Sequence, residues 1–109
     1  MKKFDEIMHI AEKIARRSPI RVKVSCLLID KKSGRIVATG YNKLGNRRLN
    51  GRFSVHAEVD ALKKVKKPST NLIMLLYRSG ERLITPCHAC QQWIDAYGIS
   101  EVYYTSKVE

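Results

Sequence analysis

Cys87 and Cys90 stand three residues apart in the run Pro86-Cys87-His88-Ala89-Cys90, and His56-Ala57-Glu58 lies upstream of them. Residues at that spacing share one face of a helix, so both sulfurs can reach a single point. A histidine from elsewhere, His56, can supply a third ligand, and a nitrogen-and-sulfur set of this kind suits Zn²⁺. Three protein ligands leave a tetrahedral ion one open position, which marks a catalytic site rather than a structural one. Glu58 then puts a carboxylate beside that open position. Together these residues meet the needs of hydrolytic chemistry on a weak electrophile.

Both halves of this set fall at predicted helix starts. Ser54 is a candidate N-cap for a helix over Val55 to Lys67, stopped by Pro68. Val59, Leu62 and Val65 would face a core there, and Lys63, Lys64, Lys66 and Lys67 would form a solvated face. Thr85 caps a second helix with Pro86 at its first position. Trp93, Ile94 and Tyr97 continue its buried side, and Gly98 ends it. Two positive helix ends facing one ion would favour thiolate at Cys87.

The remaining elements must carry these helices. Phe4, Ile7, Met8, Ala11, Ile14 and Ala15 recur at helical spacing over residues 4 to 17, before Ser18-Pro19 breaks the pattern. Arg21 to Asp30 reads as a central strand, with Cys26 as a buried structural thiol. Lys31 to Gly34 makes a turn, and Arg35 to Tyr41 pairs back as a hairpin. Residues 43 to 54 read as a loop. Asn71 to Tyr77 is an apolar run, expected as a buried strand parallel to its neighbour because a helix separates it from the hairpin. Ser100 to Thr105 is the last strand. The order α, β, β, α, β, α, β predicts a four-stranded mixed sheet covered by helices, with the last strand at an open edge where a partner or second copy could pair.

A chain of 109 residues, 44% hydrophobic, is expected to form one domain spanning residues 1–109. No stretch approaches the roughly 18 apolar residues of a membrane span. Asp5, Glu6 and His9 interrupt any apolar signal region after Met1-Lys2-Lys3, so a cytoplasmic (or nuclear) location is expected. Three cysteines make no disulfide framework, and a Cys-x-x-Cys pair in a reducing compartment reads as metal-binding or redox. Twenty-one basic residues against ten acidic ones give a net charge of +11. Between Asp30 and Glu58 there is no acid but there are Lys31, Lys32, Arg35, Lys43, Arg47, Arg48 and Arg52. A field of that sign attracts phosphates, although basic surfaces also serve solubility alone.

His-Ala-Glu followed by Pro-Cys-x-x-Cys resembles the zinc-dependent cytidine and deoxycytidylate deaminase superfamily, which also contains tRNA adenosine deaminases. The resemblance spans roughly residues 20 to 105 and implies a three-layer α/β/α cytidine-deaminase-like fold, here with a short four-stranded mixed sheet. The family usually continues into a fifth strand and further helix, beyond the four strands expected here. The resemblance implies one Zn²⁺ per chain on His56, Cys87 and Cys90, with Glu58 shuttling protons and Ala57 walling the pocket. Ala57 can equally be a plain helix former. Asn42 matches an asparagine that contacts the substrate's sugar in the family, or it only starts a turn. Phe53 could stack on a base or anchor its loop.

For substrate, the basic loop with Lys43, Arg47, Arg48 and Arg52 favours single-stranded DNA or RNA, since a duplex hides the target atom. Gly40-Tyr41-Asn42 looks instead like deoxycytidylate deaminases, which act on a free nucleotide. Cytosine is expected ahead of adenine on family frequency. Two readings outside deamination stay open. Cys-His-Ala-Cys at a helix start fits a thiol redox protein, though only 19 residues follow Cys90. A structural zinc module binding nucleic acid would need a fourth ligand, from His88 or His9.

Overall fold

The computed structural model describes residues 4–19, 23–44, 54–65, 71–78, 88–99 and 101–106, with side-chain surroundings left undescribed at some positions, Cys90 among them. The main sheet comprises β1 (Val24–Asp30), β2 (Ile36–Tyr41), β5 (Leu72–Arg78) and β6 (Glu101–Ser106), in the order β2-β1-β5-β6. Helix α1 (Phe4–Ala15) covers one face, and α2 (Ala57–Leu62) and α3 (His88–Ala96) cover the other. A second, two-stranded sheet joins β3 (Lys43–Leu44) to β4 (Ser54–Val55).

The three layers follow from the pleat. Successive side chains point to opposite faces of a strand, so a strand buried on both sides needs apolar residues in sequence rather than in alternation. β1 and β5 meet that need. Cys26 and Leu28, with Met74 and Leu76, pack against Ala61, Leu62 and Ile94 of α2 and α3. Leu27, Leu75 and Tyr77 turn the other way, onto Ala11, Ile14 and Ala15 of α1. Cys26 is buried, as its setting in an apolar run implies. Between the layers, the Ser25 hydroxyl donates to the Ala11 carbonyl at 2.7 Å, tying α1 to the central strand.

The hairpin forms as expected, with Gly34 at φ 72 in its turn. Asp30 organises that turn: its Oδ1 accepts from the Lys32 and Ser33 amides at 2.8 and 3.1 Å. Those two bonds hold its carboxyl below the ordinary 3.8. The ladder shifts register between Leu28 and Ile29, pairing with Ala38 and Ile36, so Val37 bulges out and is exposed. At the end of α3, Gly98 at φ 74 donates to Asp95 O and Ile99 donates to Ile94 O, which closes the helix while Ile94 and Ile99 are both buried.

Two expectations are corrected. β5 runs antiparallel to β1 and parallel only to β6. The crossover through α2 does make β5 point the same way as β2, from which the chain departs. β1 lies between them and points the opposite way, so its antiparallel hairpin decides the local pairing. The second correction concerns the start of α2. Ser54 belongs to β4, opposite Leu44, and the helix begins at Ala57 with His56 as its N-cap. Pairing of residues 54–55 with 43–44 uses the backbone that a longer helix would need. Past Leu62 the chain tightens, with Lys64 and Val65 donating to carbonyls three residues back. The tail expected to reach Lys67 lies outside the described residues, as does the start at Arg21 expected for the first strand. Among the described residues no helix is long and apolar enough to cross a membrane.

Candidate active site

Gly40 decides how close α2 comes to the sheet. A Cβ built there would stand 2.5 Å from both the Ala57 carbonyl oxygen and the Ala61 nitrogen. Real Cβ atoms do not approach backbone so closely, so only glycine lets the helix rest on β2. Ala57 and Ala61, both buried, keep the helix side of that contact equally thin. Ala57 thus sits in the core with its carbonyl over Gly40. The first turn of α2, which carries His56 and Glu58, is thereby pressed against the carboxyl end of β2.

His56 has extended backbone (φ −75, ψ 150), and its side chain does not cap the helix. The imidazole is exposed, while Glu58 is only 5% exposed. A carboxylate this far from water is costly unless a charge or chemical task accompanies it. Tyr104 on β6 shows where that charge is felt: burial, and then the Glu58 carboxylate, push its phenol above the ordinary 10.0. Leu76 pairs with Tyr104 across the β5–β6 ladder. Glu58 therefore influences the same sheet face that α3 covers.

Cys90 lies in the first turn of α3, which packs beside α2 on that face. Its side chain is not described, and Cys87 lies outside the described residues. Among the described residues no three His, Cys, Asp or Glu side chains form a metal cluster. The donor chemistry nonetheless fits Zn²⁺. His56 heads one helix and Cys90 sits near the head of its neighbour, and the pair Cys87 and Cys90 has the spacing of a thiolate chelate. Trp93 is part of the core shell, stacked on Tyr97 with ring centroids 6.0 Å apart.

The substrate-side expectations divide. The Asn42 carboxamide oxygen accepts from the Val24 backbone N–H at 2.9 Å, and the Asn42 backbone N–H donates to Val24 O at 3.1 Å. The residue thus pins the end of β2 to the start of β1. Lys43 has its ammonium 3.0 Å from Asp60 Oδ1 and 4.5 Å from the centre of the Tyr41 ring. Arg47, Arg48, Arg52 and Phe53 lie outside the described residues.

Three residues of this region escape sequence reasoning. Gly40 carried a cue, since an isolated glycine in a strand often marks close backbone approach. Asp60, 12% exposed, accepts from the Tyr41 amide at 3.1 Å while pairing with Lys43 and, at 3.9 Å, with Lys64. It joins α2 to β2 and β3, and no local pattern announces it. Arg78 ends the apolar run of β5 and looks in sequence like the first residue of a loop.

The model of the family described as cytidine and deoxycytidylate deaminase zinc-binding region matches residues 1–106. The chain belongs to this family. The fold agrees. The crystal structure of cytidine deaminase from Burkholderia pseudomallei is similar with a TM-score of 0.75 at 18% identity, over 96% of this chain and 86% of that one. A glutamate-to-glutamine variant of cytidine deaminase from Mycobacterium tuberculosis gives 0.64 at 18% identity, over 94% and 84%. Another structure of cytidine deaminase from that organism gives 0.59 at 20%, over 92% and 83%. Comparison with curated proteins yields no match. Family membership supports Zn²⁺ as the ion suited to the His-Cys-Cys set.

Proposed function

We propose that this deaminase-family protein converts cytosine to uracil by zinc-dependent hydrolysis, with single-stranded nucleic acid as its substrate. The observation that carries the chemistry is the buried carboxylate of Glu58 in the first turn of α2, two residues past His56. Zn²⁺ held by His56, Cys87 and Cys90 would supply Lewis-acid activation of water. Two thiolates offset the charge of the ion and weaken that activation, so a base close by matters more. Glu58 takes the proton from the attacking water and gives it to the ring nitrogen beside C4, making the ring electrophilic. It then carries the second proton to the departing amine, so that cytosine and water yield uracil and ammonia. Burial of Glu58 keeps bulk water from competing for those protons.

The polynucleotide reading rests on the acid-free, base-rich segment between Asp30 and Glu58. One observation favours a second reading, a free nucleoside or nucleotide. The Lys43 ammonium is already engaged by Asp60 and Tyr41, which leaves fewer cations for a phosphate track, and the similar solved structures are cytidine deaminases. Ammonia release from a dC-containing oligonucleotide, its dA counterpart, dCMP and deoxycytidine tests both. Turnover of the dC oligonucleotide well above dCMP supports the first reading, and the reverse order supports the second. Release from the dA oligonucleotide alone would replace cytosine with adenine.

A further inference from the structure

Arg78 closes β5 in the interior of the sheet, opposite Val24 of β1 and Ser106 of β6. The pleat turns its side chain to the face of Met74 and Leu76, which is the face that α2 and α3 cover. Its Nε is buried and makes no hydrogen bond among the described residues. A guanidinium stays charged at every accessible pH, so a buried N–H without an acceptor is a standing cost. The surroundings suggest what offsets it. One pleat repeat earlier, Leu76 pairs with Tyr104, whose phenol feels the Glu58 carboxylate. Across the ladder, Val24 is the residue held by Asn42. Arg78 therefore stands at the strand end beside the elements that carry the candidate site, with a donor left over.

We propose that Arg78 is a substrate-binding residue that receives the phosphate oxygen next to the target base. The inference rests on the deaminase reading and deepens it by naming the residue that takes the substrate's phosphate. A guanidinium presents its N–H groups as a fork that matches two oxygens of one anion, and such charge-assisted bonds are about twice as strong as neutral ones. A phosphate uses that fork fully. A neutral carbonyl of the base would use one arm.

Binding rather than turnover tests this, using the zinc-loaded Glu58→Gln protein, in which substrate is not consumed. It is titrated with dCMP, deoxycytidine and a short single-stranded oligonucleotide containing one dC, with and without the further change Arg78→Gln. A phosphate ligand should bind about 10-fold or more tighter than deoxycytidine, and Arg78→Gln should abolish that advantage. Deoxycytidine affinity should stay within about 2-fold. Loss confined to dCMP assigns the terminal phosphate of a free nucleotide, and loss confined to the oligonucleotide assigns an internucleotide phosphate. Arg78→Lys, which keeps the charge without the fork, should recover part of the difference. Equal weakening for all three ligands, or none for either phosphate ligand, overturns the proposal. Should the unmutated protein release no ammonia from any cytosine compound, the deaminase reading fails separately, whatever the binding arms show.

Discussion

The two faces of the sheet are built from similar apolar material and differ in what they do with polar groups. On the α1 face, the buried Ser25 hydroxyl is satisfied by the Ala11 carbonyl, and Leu27, Leu75 and Tyr77 meet Ala11, Ile14 and Ala15. On the α2 and α3 face, a carboxylate is 5% exposed at Glu58, and at Arg78 an arginine Nε is buried without an acceptor among the described residues. A fold selected for stability alone would not keep both. On the proposed function, the contrast is between a face that holds the molecule together and one that carries chemistry. Changes on the first should therefore move stability, and changes on the second should move metal, turnover or binding.

The largest effect is expected from the ligand set. Cys87→Ser should lose Zn²⁺ and turnover together and lower the melting temperature, because the proposed ligands would also clamp α2 to α3. Elemental analysis alongside thermal unfolding checks it. Retained zinc with full stability would remove Cys87 from the set, and reversible disulfide formation in metal-free protein would favour redox chemistry.

Gly40 sharpens the comparison because it is structural yet lies on the functional face. Gly40→Ala forces a Cβ into backbone atoms 2.5 Å away, so α2 must lift. Overpacking of this kind costs about 1–3 kcal/mol, and here turnover should fall as well, since His56 and Glu58 ride on the displaced helix. Denaturant unfolding and kcat together test it. Unchanged kcat in a destabilised protein would separate the helix position from catalysis.

Ser25→Ala is the counterpart on the α1 face. Loss of a buried hydrogen bond should cost about 1 kcal/mol and leave kcat/KM within experimental scatter. A large kinetic effect would break the division between the two faces.

Smaller still is the alkaline response. Burial, reinforced by Glu58 at Tyr104 and by Glu12 at Tyr77, raises both phenols above 10.0 in the folded chain. The unfolded chain then loses those protons first, so stability is full below about 10 and declines as pH rises beyond it. Tyr104→Phe should flatten that decline. Unfolding midpoints from pH 9 to 11 check the sign, and an unchanged slope would show that Tyr104 does not contribute.

Sequence reading reaches the elements because their signals are local. Periodicity places α1, the apolar run marks β5, and Gly34 marks the hairpin turn. Pairing is another matter. The direction of β5 depends on which strand it joins, and the same apolar run could sit beside either neighbour. The start of α2 depends on Lys43 and Leu44 holding residues 54–55 in a ladder, a contact no local cap reveals. At the candidate site, the pattern of His56, Glu58, Cys87 and Cys90 stands out in sequence because metal chemistry constrains residue types and spacing, and their roles remain the proposal made above. Asp60 and Arg78 are not, since each is an ordinary charge in sequence and gains meaning only from what the fold sets against it.

The central claim is that Glu58 moves the protons of a hydrolytic deamination. Its most direct test is ammonia release from the best cytosine substrate, comparing the unmutated protein with Glu58→Gln at equal zinc content. Loss of a proton shuttle should lower kcat by about 10²–10⁴-fold or more while the zinc and the melting temperature stay as they were. Turnover by Glu58→Gln at the unmutated rate, with zinc in place, would contradict the account.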